Sequence, residues 1–203
     1  FNGIARWVKK RDTKNWNIHL VAANNLVIGT KGSEQALTAW DAYTGKEKAV
    51  YADIGKSGRS NFIMQAIEHN NSVYVTNKDK VCRFVTQTGQ ANWCQEEKGN
   101  PVLPTLSEDG KTLYYAMFAF DGDEYGRFPK HSFDAARFPR FKVKELVARD
   151  VASGNVKWRT AEFVGKGGGK EKFPSITSII SANNQVVMFG AYMYKIGRAS
   201  CRE

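Results

Sequence analysis

A glycine followed four residues later by tryptophan occurs three times in this chain, at Gly3/Trp7, Gly89/Trp93 and Gly154/Trp158. A fourth glycine, Gly45, carries Ala49 in the tryptophan's place. The spacings between these glycines are 42, 44 and 65 residues. A period of roughly 40–45 residues constrains a fold more than any single motif, because each repeat must be one supersecondary unit that buries its apolar surface on its neighbours. The longest spacing is one such unit plus an insertion of about half a unit.

The flanks of each glycine repeat as well. Leu37-Thr38-Ala39-Trp40-Asp41-Ala42-Tyr43-Thr44-Gly45 parallels Leu146-Val147-Ala148-Arg149-Asp150-Val151-Ala152-Ser153-Gly154, and the stretch from Val81 through Thr88 to Gly89 is a weaker copy with Val85 in the Asp position. Each reads as a strand running into a tight turn, where Asp bonds its own turn backbone and Gly takes the positive φ of a hairpin corner. Upstream lies a second repeated signal. Asn24-Asn25, Asn70-Asn71, Asp109-Gly110 and Asn183-Asn184 each precede a β-rich apolar run. Such dipeptides between strand-like segments predict hairpins. Each unit is therefore strand, Asn turn, strand, connector, strand, Thr-Gly turn, strand. The expected fold is all-β, a β-propeller of four-stranded antiparallel blades, with the tryptophan wedged between adjacent sheets.

The Asp-x-x-Thr-Gly-x-x-x-Trp unit (Asp41, Thr44, Gly45; Thr88, Gly89, Trp93; Asp150, Ser153, Gly154, Trp158) resembles the PQQ-like, quinoprotein-type propeller repeat. The resemblance implies that the Trp docks each blade on the next. Ala49 for Trp, Val85 for Asp and Ser153 for Thr depart from the pattern. They imply degenerate blades within the same fold. The phasing predicts about three and a half blades of a larger ring over residues 1–195, with an insertion at about 118–141 in the third blade and two strands of a fourth ending near Tyr194. Residues 196–203 back-translate to a string that looks like a common sequencing adapter and are read as its translation, outside the fold. Without them the net charge falls from +10 to +9.

The composition, with 42% hydrophobic and 25% charged residues, is that of a globular chain. No apolar run approaches the roughly 18 residues that would span a bilayer. Three histidines, His19, His69 and His131, are scattered, with no Cys or carboxylate at ligand spacing. The glycine-rich stretch from Gly165 to Lys170 is superficially similar to a phosphate loop but lacks its spacing and its Ser or Thr. Asp121, Asp123 and Glu124 do not meet the EF-hand pattern. No catalytic residue is nominated, and no metal site.

The insertion is the least generic stretch. Arg127-Phe128-Pro129-Lys130 and Arg137-Phe138-Pro139-Arg140 are near-duplicates that interleave aromatics with positive charge. Four readings stay open: an excursion packing its aromatics on its own blade, a loop that docks on a protein partner, a nucleic-acid contact using stacking and phosphate neutralisation, or an anionic-lipid contact, with the first two weighing most. Nucleic acid is not the expected partner, because the chain's remaining basicity (pI near 9.5) is dispersed along the sequence. Cys82 and Cys94 flank the Thr88-Gly89 turn. A one-residue register choice decides whether they oppose each other, which would permit a disulfide and imply an oxidising compartment, or lie on opposite faces as free thiols.

The resemblance implies three function classes. The first is a non-enzymatic extracytoplasmic scaffold in the periplasm or cell envelope, similar to the lipoprotein propellers of outer-membrane protein assembly, with a protein partner and with membrane attachment only through an anchor outside these residues. The second is a fragment of a quinoprotein dehydrogenase, which alone would bring PQQ and calcium. The third is a ligand-sensing propeller. The vicinal Cys-Cys pair and Gly-rich cofactor-capping motifs typical of the dehydrogenases are missing from these residues, and the scaffold without cofactor is the expectation.

Overall fold

The computed structural model describes residues 7–8, 21–31, 36–51, 65–77, 79–118, 141–160, 175–183, 185–190 and 193–198. Gly3, Arg127, Phe128, Lys130, Arg137, Phe138 and Arg140, together with the Gly165–Lys170 stretch, lie outside the described residues. Among those described, the regular structure is β-strand with no helix.

The chain divides into two compact units, Phe1–Glu96 and Glu97–Glu203. The first holds two four-stranded antiparallel sheets in sequence order. One is β1 (Val21–Ala23), β2 (Leu26–Lys31), β3 (Ala36–Asp41) and β4 (Glu47–Tyr51); the other is β5 (Gln65–His69), β6 (Ser72–Asn77), β7 (Lys80–Val85) and β8 (Ala91–Glu96). Each is a blade of the expected kind. In the second unit β9 (Asn100–Leu106), β10 (Thr112–Phe118), β11 (Phe141–Asp150) and β12 (Val156–Arg159) form a further blade. Then follow β13 (Ser175–Ala182), β14 (Gln185–Gly190) and β15 (Met193–Arg198). The fold is thus all-β, built from propeller-type blades.

Two departures from the sequence expectation appear in this unit. The last sheet has three strands where two are expected, because β15 continues past Tyr194 and pairs with β14 as far as Gln185↔Arg198. The ten-residue β11 also serves two neighbours: Val147–Arg149 pair with β12, while Phe141 and Lys142 pair with Ile176 and Ser175 of β13.

The turns form for local reasons. Asn24, Asn25, Asn70 and Asn71 all have φ between 45° and 63°. Positive φ at both central residues is the geometry of a two-residue hairpin turn, and Asn tolerates it. Asp41 Oδ1 accepts from the amides of Tyr43 and Thr44 at 3.0 and 2.8 Å and from Thr44 Oγ1 at 2.9 Å. Asp150 repeats this with the amide and hydroxyl of Ser153, both at 2.8 Å. These bonds hold both carboxyls below their ordinary range. Val85 makes no such bond, yet the Gly89 amide still donates to its carbonyl at 2.9 Å, as the Gly45 and Gly154 amides do to Asp41 and Asp150. The backbone turn therefore survives loss of the Asp.

Each of the three blades carries a β-bulge at the same place between its third and fourth strands, after Ala39, Arg83 and Ala148. The extra residues are Lys48, Asn92 and Lys157. Lys48 and Lys157 reach back to Asp41 and Asp150 at 4.0 and 3.9 Å. Where the acid is Val85, the bulge residue is Asn92. A bulge bends the outer strand and increases its twist.

Candidate functional site

Trp7, Gly45 and Gly89 do their work where one blade meets the next. Trp7 lies over the glycine of the following blade's turn: a Cβ on Gly45 would stand 2.8 Å from Trp7 Cδ2. The indole Nε1 donates to Ala42 O at 3.0 Å. Gly45 is therefore required twice, once for φ +66° and once for the ring. The resemblance implied this wedge, and here the structure supplies its geometry.

At the next junction Ala49 stands in place of the tryptophan, and the blades close up. A Cβ on Gly89 would be 2.7 Å from Val50 O and 3.4 Å from the Ala49 methyl. The polar half of the wedge passes to another residue. Tyr51, 1% exposed, donates its hydroxyl to Thr86 O at 2.7 Å. Thr86 is the counterpart of Ala42, since each follows the Asp-position residue, and 35 residues separate donor from acceptor in both cases. The Tyr51 ring meets Phe84 edge to face at 5.3 Å. Burial, followed by the charge of Glu68, pushes the Tyr51 phenol up, so it stays a donor. The sequence reading missed this residue.

Cys82 and Cys94 are directly opposed across β7 and β8 and joined by a disulfide, with 4.1 Å between their Cα atoms. The structure thereby settles the register. Both lie on the face of the second blade that meets the first: Leu26, Ile28, Leu37, Ala39, Ala49 and Tyr51 pack in one core with Ala66, Val73, Val75, Cys82 and Phe84, and Cys94 borders it.

The third blade holds a different kind of core. Arg149 occupies the strand position filled by Trp40 and Phe84 in the first two blades, each paired with the second strand in the same register. Its side chain is 5% exposed, and that of Glu97, its partner, is 1% exposed. Glu97 Oε1 accepts from Tyr115 OH and from Arg149 Nη2; Glu97 Oε2 accepts from Arg159 Nη2 at 2.5 Å. Arg149 also donates from Nε to Tyr115 OH at 3.1 Å and from Nη1 to Gly154 O. Arg159 Nη1 reaches Glu145 at 3.0 Å.

One carboxylate thus ties together residues of β10, β11 and β12. Burial pushes the Glu97 carboxyl up, but the hydrogen bonds from Tyr115, Arg159 and Arg149 outweigh it and hold it below the ordinary value. Burial and then Glu97 push the Tyr115 phenol up. Burial disfavours the Arg159 cation, yet the hydrogen bond and charge of Glu97 raise it. Opposite Tyr115, β9 bulges at Leu103, whose φ of +56° is strained for a side chain of that size.

Trp93 is buried opposite Arg83, and Trp158 stands opposite Ala148 with its ring 5.9 Å from Tyr114. Of the described repeat residues, Trp7, Gly45 and Gly89 stand where the first blades meet, Asp41, Thr44, Asp150 and Ser153 cap their own turns, and Trp158 packs within its own blade. Among the described residues no group of three or more His, Cys, Asp or Glu side chains is placed to hold a metal ion. The charged cluster around Glu97 binds its own members: both carboxylate oxygens and both guanidinium groups are engaged within the blade.

No protein-family model matches the chain, and no curated protein matches it. Solved structures do. The computationally designed Ika8 protein aligns at a TM-score of 0.55 and 15% identity over 83% of this chain and 41% of its own. The computationally designed Ika4 protein aligns at 0.57 and 14% identity over 93% and 96%. BamB from Moraxella catarrhalis, a propeller, aligns at 0.52 and 14% identity over 85% and 46%. The chain spans less than half the length of Ika8 and of BamB. At these identities the likeness is one of fold, and the fold it shares is that of a β-propeller.

Proposed function

We propose that the chain is part of a non-enzymatic scaffold propeller of the cell envelope that binds another protein, in the manner of the outer-membrane assembly lipoproteins. The observation that carries this reading is how the third blade closes. Phe118 at the end of β10 pairs with Val143 near the start of β11, so the two strands meet on either side of the insertion. A blade that completes its ladder without a segment does not need that segment for folding, and long loops on rigid scaffolds are where binding residues concentrate. Arg127, Phe128, Lys130, Arg137, Phe138 and Arg140 are the proposed contact residues, suited to an acidic protein surface with apolar pockets. The Cys82–Cys94 disulfide supports an oxidising compartment, since structural disulfides are rare in the cytosol.

The test replaces residues 121–140 with a short Gly-Ser linker, which leaves β10 and β11 intact. The linker variant and the full chain are then used as bait against envelope extracts. Loss of a partner that the full chain recovers is the expected result, restored when only the six contact residues are grafted back. Equal recovery by the two baits would refute the docking loop.

A further inference from the structure

The disulfide occupies an unusual place for a mere staple. Its sulfurs lie in the junction between the first two blades, at the one junction described here where the tryptophan wedge is replaced by Ala49. Cys82 is fully buried, whereas Cys94, on the outer strand β8, is partly exposed. The turn between the two cysteines carries two of the contacts that join the blades, Tyr51 to Thr86 O and Gly89 against Val50 O.

We infer that Cys82–Cys94 is a thiol-exchange site for a dithiol oxidoreductase, entered at Cys94, and that blade docking controls its reactivity. A thiolate of the dithiol attacks Cys94 Sγ. The Cys82–Cys94 bond breaks as the mixed disulfide forms, and Cys82 leaves as a thiolate that takes up a proton. The second thiol of the dithiol, after losing its proton, attacks the mixed disulfide and releases Cys94 as a thiolate, which is protonated in turn. The dithiol ends as a disulfide, and two electrons and two protons have passed to the cysteines.

Two effects oppose each other. Leaving-group chemistry favours expelling the sulfur of the less buried residue, Cys94, because a thiolate formed in an apolar core is poorly stabilised. Access favours attack at Cys94, because Cys82 has no exposed surface. Access decides the site, since an attacking thiolate must lie in line with the S–S bond. The poor leaving group then makes exchange slow in the docked state. Local opening of the junction solvates Cys82 and accelerates it, so redox exchange becomes a readout of whether the first two blades are docked. This inference goes beyond the scaffold reading and uses none of the insertion's residues.

The experiment uses the full chain in a Cys201→Ser background, with a thioredoxin-type protein that lacks its resolving cysteine. The trapped complex is mapped by proteolysis and mass spectrometry, and dithiothreitol reduction is timed in parallel. The mixed disulfide is expected on Cys94, and Tyr51→Phe should speed reduction on the order of tenfold by loosening the junction. An adduct on Cys82, no adduct on the folded chain, or a wild-type rate in Tyr51→Phe would overturn the inference. If Tyr51→Phe fails to fold, sub-denaturing urea on the parent chain replaces it, with a flat rate as the overturning result. Failure here leaves the insertion pull-down unaffected, so the two proposals fail separately.

Discussion

Replacing Tyr51 with Phe isolates one hydroxyl at the blade junction. The ring, with its edge-to-face contact to Phe84 at 5.3 Å, is kept. What is lost is the 2.7 Å bond to Thr86 O, in a place where Tyr51 is 1% exposed and Thr86 fully buried. Hydrophobic transfer changes little, and the vacated volume is that of one oxygen. The cost is then that of a buried acceptor losing a donor, about 1–3 kcal/mol. For a chain of this size each kcal/mol lowers Tm by about 2–4 °C, so a drop of roughly 2–12 °C is expected.

Thermal melts followed by circular dichroism, with urea midpoints as a second measure, give the number. Tyr43→Phe is the comparator: it deletes the same atom from a residue that is 57% exposed, where water replaces any bond the hydroxyl makes and the cost is well below that of a buried acceptor left unpaired. Tyr51→Ala also removes the ring and should cost about 3–5 kcal/mol, the range of large aromatic truncations in cores. If Tyr51→Phe matches Tyr43→Phe, the hydroxyl does not take over the role of the indole N–H, and the account of how the blades close around Ala49 is wrong.

Two other perturbations address separate parts of the structure. Glu97→Gln removes the charge that Arg149 and Arg159 share and should cost about 3–5 kcal/mol, since it leaves a buried guanidinium without its counter-ion. The folded pKa of Glu97 lies below 4.5, so the native carboxylate contributes stability that is fully present above pH 4.5 and drains away as pH falls through the folded value. Urea midpoints taken from pH 7 to 3 should fall less steeply for Glu97→Gln than for the parent; parallel slopes would sink the assignment. At Gly89 the φ of +71° and the approach to Val50 O act together. Asn tolerates the first but not the second, so both Gly89→Ala and Gly89→Asn should destabilise, each by about 2 kcal/mol or more. A near-neutral Gly89→Asn in the same melts would show that φ alone matters.

The parts of this fold that sequence made legible are those in which a residue answers to its own backbone. Asn24-Asn25 and Asn70-Asn71 announce their turns because few side chains accept positive φ at consecutive positions, and Asp41 and Asp150 cap turns that begin at themselves. The Cys82–Cys94 register was not legible. A bulge after Arg83 shifts the ladder by one residue within the same hairpin, and nothing in the spacing places it. One signal was present: Lys48 and Lys157 sit at the bulge where Asp41 and Asp150 are present, and Asn92 sits there where the acid is Val85.

The Glu97 cluster draws on residues spread over 62 positions, and only Arg149, standing where Trp40 and Phe84 stand, marked the third blade as polar inside. Tyr51 is the most instructive miss. The repeat was read as a pattern of residues, but what the junction requires is a donor that reaches the carbonyl after the Asp position and a surface that fills the space beside the glycine. Trp7 supplies both from one side chain. In the next blade Tyr51 supplies the donor, while Ala49 lets the backbone of Val50 fill the space. The pattern breaks at Ala49 and the contact does not, so the first two blades are better defined by the carbonyl that accepts, Ala42 O or Thr86 O, than by the residue that reaches for it.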